Sequence, residues 1–180
     1  MKKILTATVL ALAVSAASAT GYVSMEIDSV KDTGNKATST AQYFRAGTQA
    51  FGLDLSTQVR TAVYRNGGML NSIEGYVGKG IGPVNVFGGL GYDNGFNGAK
   101  KGNYQYGLVG ASAGANLGPV YAFGGAKTRL NWDSANPKQT VAFAGVSYPL
   151  TKTLSVDVDA SRSYQNIKEK ALGVGLRVSF

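Results

Sequence analysis

The chain contains no cysteine and no histidine, and only four prolines and one tryptophan among its 180 residues. Without cysteine, no disulfide staples the loops and no thiolate chemistry exists. Without histidine, the chain lacks the usual general base of serine-dependent hydrolysis and acyl transfer. Helical periodicity nowhere persists beyond a turn. The longest apolar stretch, Ile4 to Val14, falls short of the roughly 20 residues that a membrane-crossing helix needs. It follows two lysines and runs on to Ala17-Ser18-Ala19, an A-x-A cleavage pattern. Residues 1–19 therefore read as a secretory signal peptide. The expected mature chain is Thr20–Phe180, 161 residues in one domain.

What the sequence has is glycine, 25 residues, and Tyr plus Phe, 17 residues, arranged in alternation. In FGLDLSTQVRTAVYR, Phe51, Leu53, Leu55, Val59 and Val63 share one face; Asp54, Ser56, Gln58, Arg60 and Tyr64 share the other. LSVDVDASRS sets Leu154, Val156, Val158 and Ala160 against Ser155, Asp157, Asp159, Ser161 and Ser163. A period of two marks a strand with one apolar face. Alternation of this length suits a tilted bilayer crossing of roughly 9–11 residues.

Punctuation gives the strand count. GPVNVFGGLG (82–91) and GPVYAFGGAK (118–127) share six of ten positions at a spacing of 36 residues. Each follows a tight glycine turn, and GTQAFG (47–52) and YPLTKT (148–153) make two further short connections. Between them lie longer polar connections at 31–39, 65–68, 93–102, 131–139 and 164–169, rich in Asn-Gly and Asn-Pro turn formers. Short and long connections alternate, which predicts ten strands: 21–30, 40–48, 51–64, 70–79, 84–92, 103–116, 120–130, 139–148, 154–164 and 170–180. Merging strands gives eight as the alternative.

The last ten residues, ALGVGLRVSF, are apolar at Leu172, Val174, Leu176, Val178 and Phe180. With the signal peptide, the even strand number and the alternating connections, this resembles a small bacterial outer-membrane β-barrel of porin-like type. The resemblance is one of architecture across the whole mature chain. It implies an antiparallel up-and-down barrel with its apolar face toward lipid. It also implies that Leu172, Val174, Leu176, Val178 and Phe180 form the signal read by the barrel-assembly machinery. A soluble β-sandwich would show the same alternation with the apolar face turned inward. Aromatics at strand ends favour the barrel: Tyr92, Tyr104 and Tyr106 at one rim, Phe51, Tyr148 and Phe180 at the other.

On this reading the lumen carries Glu26, Asp28, Asp54, Glu74, Asp157 and Asp159 against Arg45, Arg60, Lys127, Arg129 and Arg177. Hairpin centres at Gly67, Ile167 and 35.5 set Arg60 opposite Glu74, Asp157 opposite Arg177 and Glu26 opposite Arg45. Asp93 and Glu169 fall among the rim charges. Gly89, Gly91, Gly107, Ala111, Gly125, Gly173, Gly175 and Ser179 leave space in the bore, while Lys127, Arg129, Tyr121 and Phe123 fill it. Lys31, Lys36, Lys100, Lys101, Lys138 and Lys168 lie in loops expected to face outside the cell, and Arg162 on the lipid face nearby. Such charges suit lipopolysaccharide phosphates.

Lysines scattered in this way do not form a nucleic-acid footprint. Ser155, Ser161 and Ser163 share a face with carboxylates, yet serine without a base is inert, so no enzymatic activity is expected. Asp157 and Asp159, two residues apart, could bind a cation weakly, but such a pair is more often simply a solvated wall, and no metal or other cofactor is expected. The expected function is a narrow porin-like channel for ions or small polar solutes. The alternative is a non-conducting surface barrel that binds through its loops. Oligomeric state has no signature in the sequence.

Overall fold

The computed structural model describes residues 20–32, 38–64, 67–97, 100–132, 138–165 and 169–180. The expected signal peptide lies outside them. The alternating segments form ten strands: β1 (Gly21–Asp32), β2 (Thr38–Ala50), β3 (Leu53–Tyr64), β4 (Met69–Ile81), β5 (Val84–Asn97), β6 (Lys100–Leu117), β7 (Val120–Asn131), β8 (Gln139–Pro149), β9 (Leu154–Gln165) and β10 (Glu169–Ser179). Each pairs antiparallel with its sequence neighbours, and β1 pairs with β10, closing a single sheet into a barrel. The ten-strand reading holds, and eight is set aside.

Only β5 and β6 depart from their expected bounds by more than two residues. The connection expected at 93–102 is mostly strand: Asn94 pairs with Asn103 and Gly95 with Gly102. Polar residues there continue the ladder as a ribbon, so Lys100 and Lys101 belong to β6 rather than to a loop. Lys31 is the last residue but one of β1, not part of a loop, and is exposed, as is Lys138 just before β8. Lys36 and Lys168 lie outside the described residues.

The exterior explains the closure. Met25, Ile27, Val109, Leu172, Val174, Leu176 and Val178 all point outward and are exposed. A soluble protein rarely exposes apolar patches beyond a few hundred Å². Here the apolar face encircles one closed sheet, and the polar face turns inward, the reverse of a sandwich. In hydrocarbon an unpaired strand edge would strand backbone N–H and C=O groups, so closure is obligatory. The seam is held at its end by Gly21 N donating to Phe180 O (2.8 Å) and Phe180 N to Gly21 O (3.0 Å).

Gly21 and Phe180 share a rim with the tight turns. Phe51 and Gly52 both have positive φ, 55° and 73°, the signature of a type I′ hairpin turn. A phenylalanine there bears left-handed strain of about 1–2 kcal/mol, and its ring is fully exposed. With outward-facing Tyr148 and Phe180 it forms the aromatic girdle of this rim. Gly82-Pro83 and Gly118-Pro119 turn with φ 62° and 64° at the glycines. The 36-residue repeat is thus a repeated hairpin entry. Each copy also delivers an inward phenylalanine, Phe87 or Phe123, five residues after its glycine.

At the opposite rim the outward aromatics among the described side chains are Tyr92, Trp132 and Tyr164. Tyr106 does not belong to this girdle, because it is buried inside, and Tyr104 opposes the inward Asp93 at the mouth of the lumen. Gly107 and Ala111 likewise face outward, since Leu108, Gly110 and Ser112 take the inner positions of β6. The reason is compositional: β6 carries small residues on both faces, so alternation leaves its orientation unmarked.

The backbone seam survives any change of the last side chain, which isolates the role of the terminal aromatic. Phe180→Asp is expected to leave most of the protein unassembled in the periplasm. Heat-modifiable gel migration of the membrane fraction measures this, and a wild-type folded yield would remove Phe180 from the assembly signal.

Candidate functional site in the barrel lumen

Period-two geometry places all eleven charged residues expected in the lumen on the inner wall. Glu26, Asp28, Arg45, Asp54, Arg60, Lys127, Arg129, Asp157, Asp159 and Arg177 line one cavity of about 430 Å³. Glu74 is wholly buried beside it, at 0% exposure.

Glu74, on β4, is the hub of the bore. It accepts hydrogen bonds from Lys127 Nζ at 2.6 Å, Arg129 Nη2 at 2.7 Å and Gln58 Nε2 at 3.2 Å, and from the Tyr76 hydroxyl. Both cations come from β7, three strands away, so their side chains reach across the interior. Tyr106 Oη lies 2.9 Å from a Glu74 oxygen and 2.9 Å from an Asp93 oxygen, and its proton serves either. Arg129 Nη1 approaches Asp93 at 3.4 Å. The cations also rest on rings: Arg129 lies 4.8 Å from the Tyr106 centroid and Lys127 5.2 Å from that of Tyr76. Such contacts strengthen where water is excluded.

A second cluster occupies the wall of β1, β2, β9 and β10. Arg45 grips Glu26 through two bonds, 2.5 and 3.1 Å. Its Nε donates to Gln58 at 2.9 Å, so Gln58 joins the two clusters. Arg177 pairs with Asp157 at 2.7 Å. Near the loop rim, Arg60 meets Glu169 at 3.5 Å and Tyr64 donates to the same carboxylate at 3.4 Å. Near the turn rim, Asp54 accepts from Asn85 at 2.5 Å and from Gln49 at 2.8 Å. Val30, Ala41 and Ala62 form a small apolar core inside the loop end.

The expected cross-strand pairs need correction. Glu26 stands opposite Tyr43, Glu74 opposite Gln58, and Asp157 opposite Gly175. All three registers are displaced by two residues in the same sense. A slip of two keeps every side chain on its face, so facial alternation cannot detect it. The turn chemistry can. Tyr64 N bonds Gly68 O at 2.8 Å and Gly67 N bonds Tyr64 O at 2.9 Å, with Gly67 at φ 78°. That is a three-residue connection ending on a left-handed glycine, centred one residue earlier than Gly67. Glu26–Arg45 and Asp157–Arg177 survive as diagonal pairs because the arginines are long. Arg60–Glu74 does not form, since each has other partners.

Asp93 and Glu169, expected at the rim, are luminal ion-pair partners. Asp93 shares the parity of Phe87 and Glu169 that of Arg177, so alternation carried a few residues further finds both. Tyr43, Tyr76 and Tyr106 carried no charge to mark them. Gly91 and Gly125, expected to leave space, are covered by the rings of Tyr106 and Phe143. On the lipid face, Arg162 is exposed with its guanidinium 5.2 Å from the Tyr164 ring centroid.

No family model matches the chain, and no curated protein matches it in sequence. Solved structures of similar fold include Neisserial surface protein A, 15% identical, covering 89% of this chain and 96% of that one with a TM-score of 0.45. The translocator domain of the autotransporter NalP from Neisseria meningitidis is 11% identical, covering 89% and 88% with a TM-score of 0.47. The N-terminal β-barrel domain of Pseudomonas aeruginosa OprF is 16% identical, covering 88% and 97% with a TM-score of 0.40. At these identities the likeness is one of fold alone; that this chain is a closed ten-strand antiparallel barrel stands on its own strand pairing.

Proposed function

We propose that the protein sits in the bacterial outer membrane and passes ions or small polar solutes through a narrow, charge-lined lumen. The observation that carries this reading is the cavity of about 430 Å³, whose lining runs from Asp54, Pro83 and Asn85 at the turn rim to Gln139, Glu169 and Ala171 at the loop rim. Its wall is charged along that length, as a polar path requires and a sealed apolar bore does not. Transit passes the Glu74 bridges, which act as the constriction.

Luminal charge sets the selectivity. With Asp93 and Glu169 added, the described inner wall holds eight acids against five bases. A narrow path of that sign concentrates cations and repels anions. Purified, refolded protein in a planar bilayer under a salt gradient is expected to give discrete conductance steps, with a reversal potential of cation-selective sign. A silent bilayer from protein verified as folded would reject conduction.

A second reading has its own observation. Val30, Ala41 and Ala62 form a buried apolar cluster at the loop end, which favours a closed barrel acting through its rim. Exposed Lys31 and Lys138 would then present positive charge to phosphates of lipopolysaccharide or to an acidic external partner.

A further inference from the structure

On the wall of β1, β10 and β9, carboxylates flank glycine in two successive rows. Asp28 pairs with Gly173, and Gly173 with Asp159; one step toward the turn rim, Glu26, Gly175 and Asp157 repeat the pattern. Glycine is required for the approach. A Cβ at position 173 would lie 2.3 Å from Asp28 Oδ1 and 3.1 Å from Glu26 Oε1. Over this cradle, oxygens of Glu26, Asp28 and Asp159 all come within 4.8 Å of one another.

The wall is short of positive charge. Glu26 takes Arg45 and Asp157 takes Arg177, while Asp28 and Asp159 form no ion pair among the described residues. Asp28 is 2% exposed, and its Oδ1 has no hydrogen-bond partner among them. That orphaned oxygen is the one lying over Gly173, beside Glu26. An unpartnered anion at such depth is costly, and four acids against two arginines leave two negative charges, the complement of one divalent ion.

We propose that Glu26, Asp28 and Asp159 form a luminal binding site for a hard divalent cation, calcium in preference to magnesium. Calcium binds oxygen at about 2.3–2.6 Å, so its ligands lie up to about 5 Å apart, and three oxygens within 4.8 Å of one another can share its sphere. Magnesium, at about 2.0–2.1 Å, demands a tighter octahedron. An all-oxygen donor set in a chain without histidine or cysteine does not suit zinc or copper. All three acids line the cavity, which supplies water ligands and the entry path. Asp159 thus gains its fellow ligands from β1, a strand remote in sequence that meets β9 only across β10.

The test uses refolded full-length barrel and terbium ion as a luminescent stand-in for calcium, sensitised by Tyr43, which stands opposite Glu26. One saturable terbium site is expected, displaced by calcium, together with a higher unfolding temperature in calcium. Asp28→Asn should weaken terbium binding by more than the roughly 10–100-fold that loss of an outer-sphere partner costs. Gly173→Ala keeps every carboxylate yet fills the cradle, and should weaken binding as well; it carries the test if Asp28→Asn does not fold. Absence of a saturable signal, or a signal undiminished in both variants, would overturn the site in favour of acids that share protons. These readouts are independent of whether the barrel conducts.

Discussion

A barrel carrying Glu74→Gln is expected to lose about 3–5 kcal/mol of folding stability, the cost of breaking a buried ion pair by removing one partner. Glutamine keeps the shape and one acceptor but leaves Lys127 and Arg129 without their shared anion. Their side chains are only 13% and 11% exposed, so solvent does little to compensate. Asp93, at 3.4 Å, retains part of Arg129; Lys127 has no second acid among the described residues. Lys127→Met in the Glu74→Gln background should therefore restore stability, although the same change in the wild type is destabilising. Trp132, exposed on the lipid face, reports the transition by fluorescence in denaturant. Additivity of the two changes within about 0.5 kcal/mol would show that the bridge is not a coupled unit. On the conduction reading, Glu74→Gln also removes the constriction's anion and should reduce cation selectivity in the same preparation.

Which features were legible in the sequence follows from what alternation encodes. It encodes a face, and every charge on a cleanly alternating strand was placed on the correct side: Arg60 on β3, Asp157 and Asp159 on β9, Arg177 on β10. It encodes nothing where both faces are small, so the orientation of β6 was misread at Gly107 and Ala111. It is also blind to a two-residue slip, because the faces are unchanged, and all three hairpins were displaced by that amount. Two ion pairs tolerated the error through the reach of arginine. The Glu74 bridge was beyond this logic altogether. Its partners lie on β7, separated from β4 by two strands, and only closure of the sheet brings them across the bore. The acid cradle was hidden for the same reason, since β1 meets β9 only through the final strand.

The glycines of the inner wall lead to the second large expected effect. Gly91→Ala should destabilise the barrel by about 1–3 kcal/mol through overpacking, with roughly 1.5–3 kcal/mol more from a lost hydrogen bond to charge. A Cβ at 91 would fall 2.2, 2.3 and 2.7 Å from Cε2, Cζ and the hydroxyl of Tyr106, its direct cross-strand partner. The ring must leave, taking its hydroxyl from Glu74 and Asp93 and its face from Arg129. If that displacement is the cause, Gly91→Ala should cost little once Tyr106→Ala has removed the ring, and the double-mutant cycle should show strong coupling. Gly110 supplies the control. It bears Phe87 in the same way, with Cζ 2.5 Å from the Cβ position, but Ala126 O lies at 2.6 Å too. Removing the Phe87 ring cannot move a backbone carbonyl, so Gly110→Ala should remain destabilising in a Phe87→Ala background. Equal rescue at the two positions would mean that the backbone approach of β6 and β7 is not what confines Gly110. Rescue at neither would mean that the inner glycines answer to strand spacing rather than to the rings laid over them.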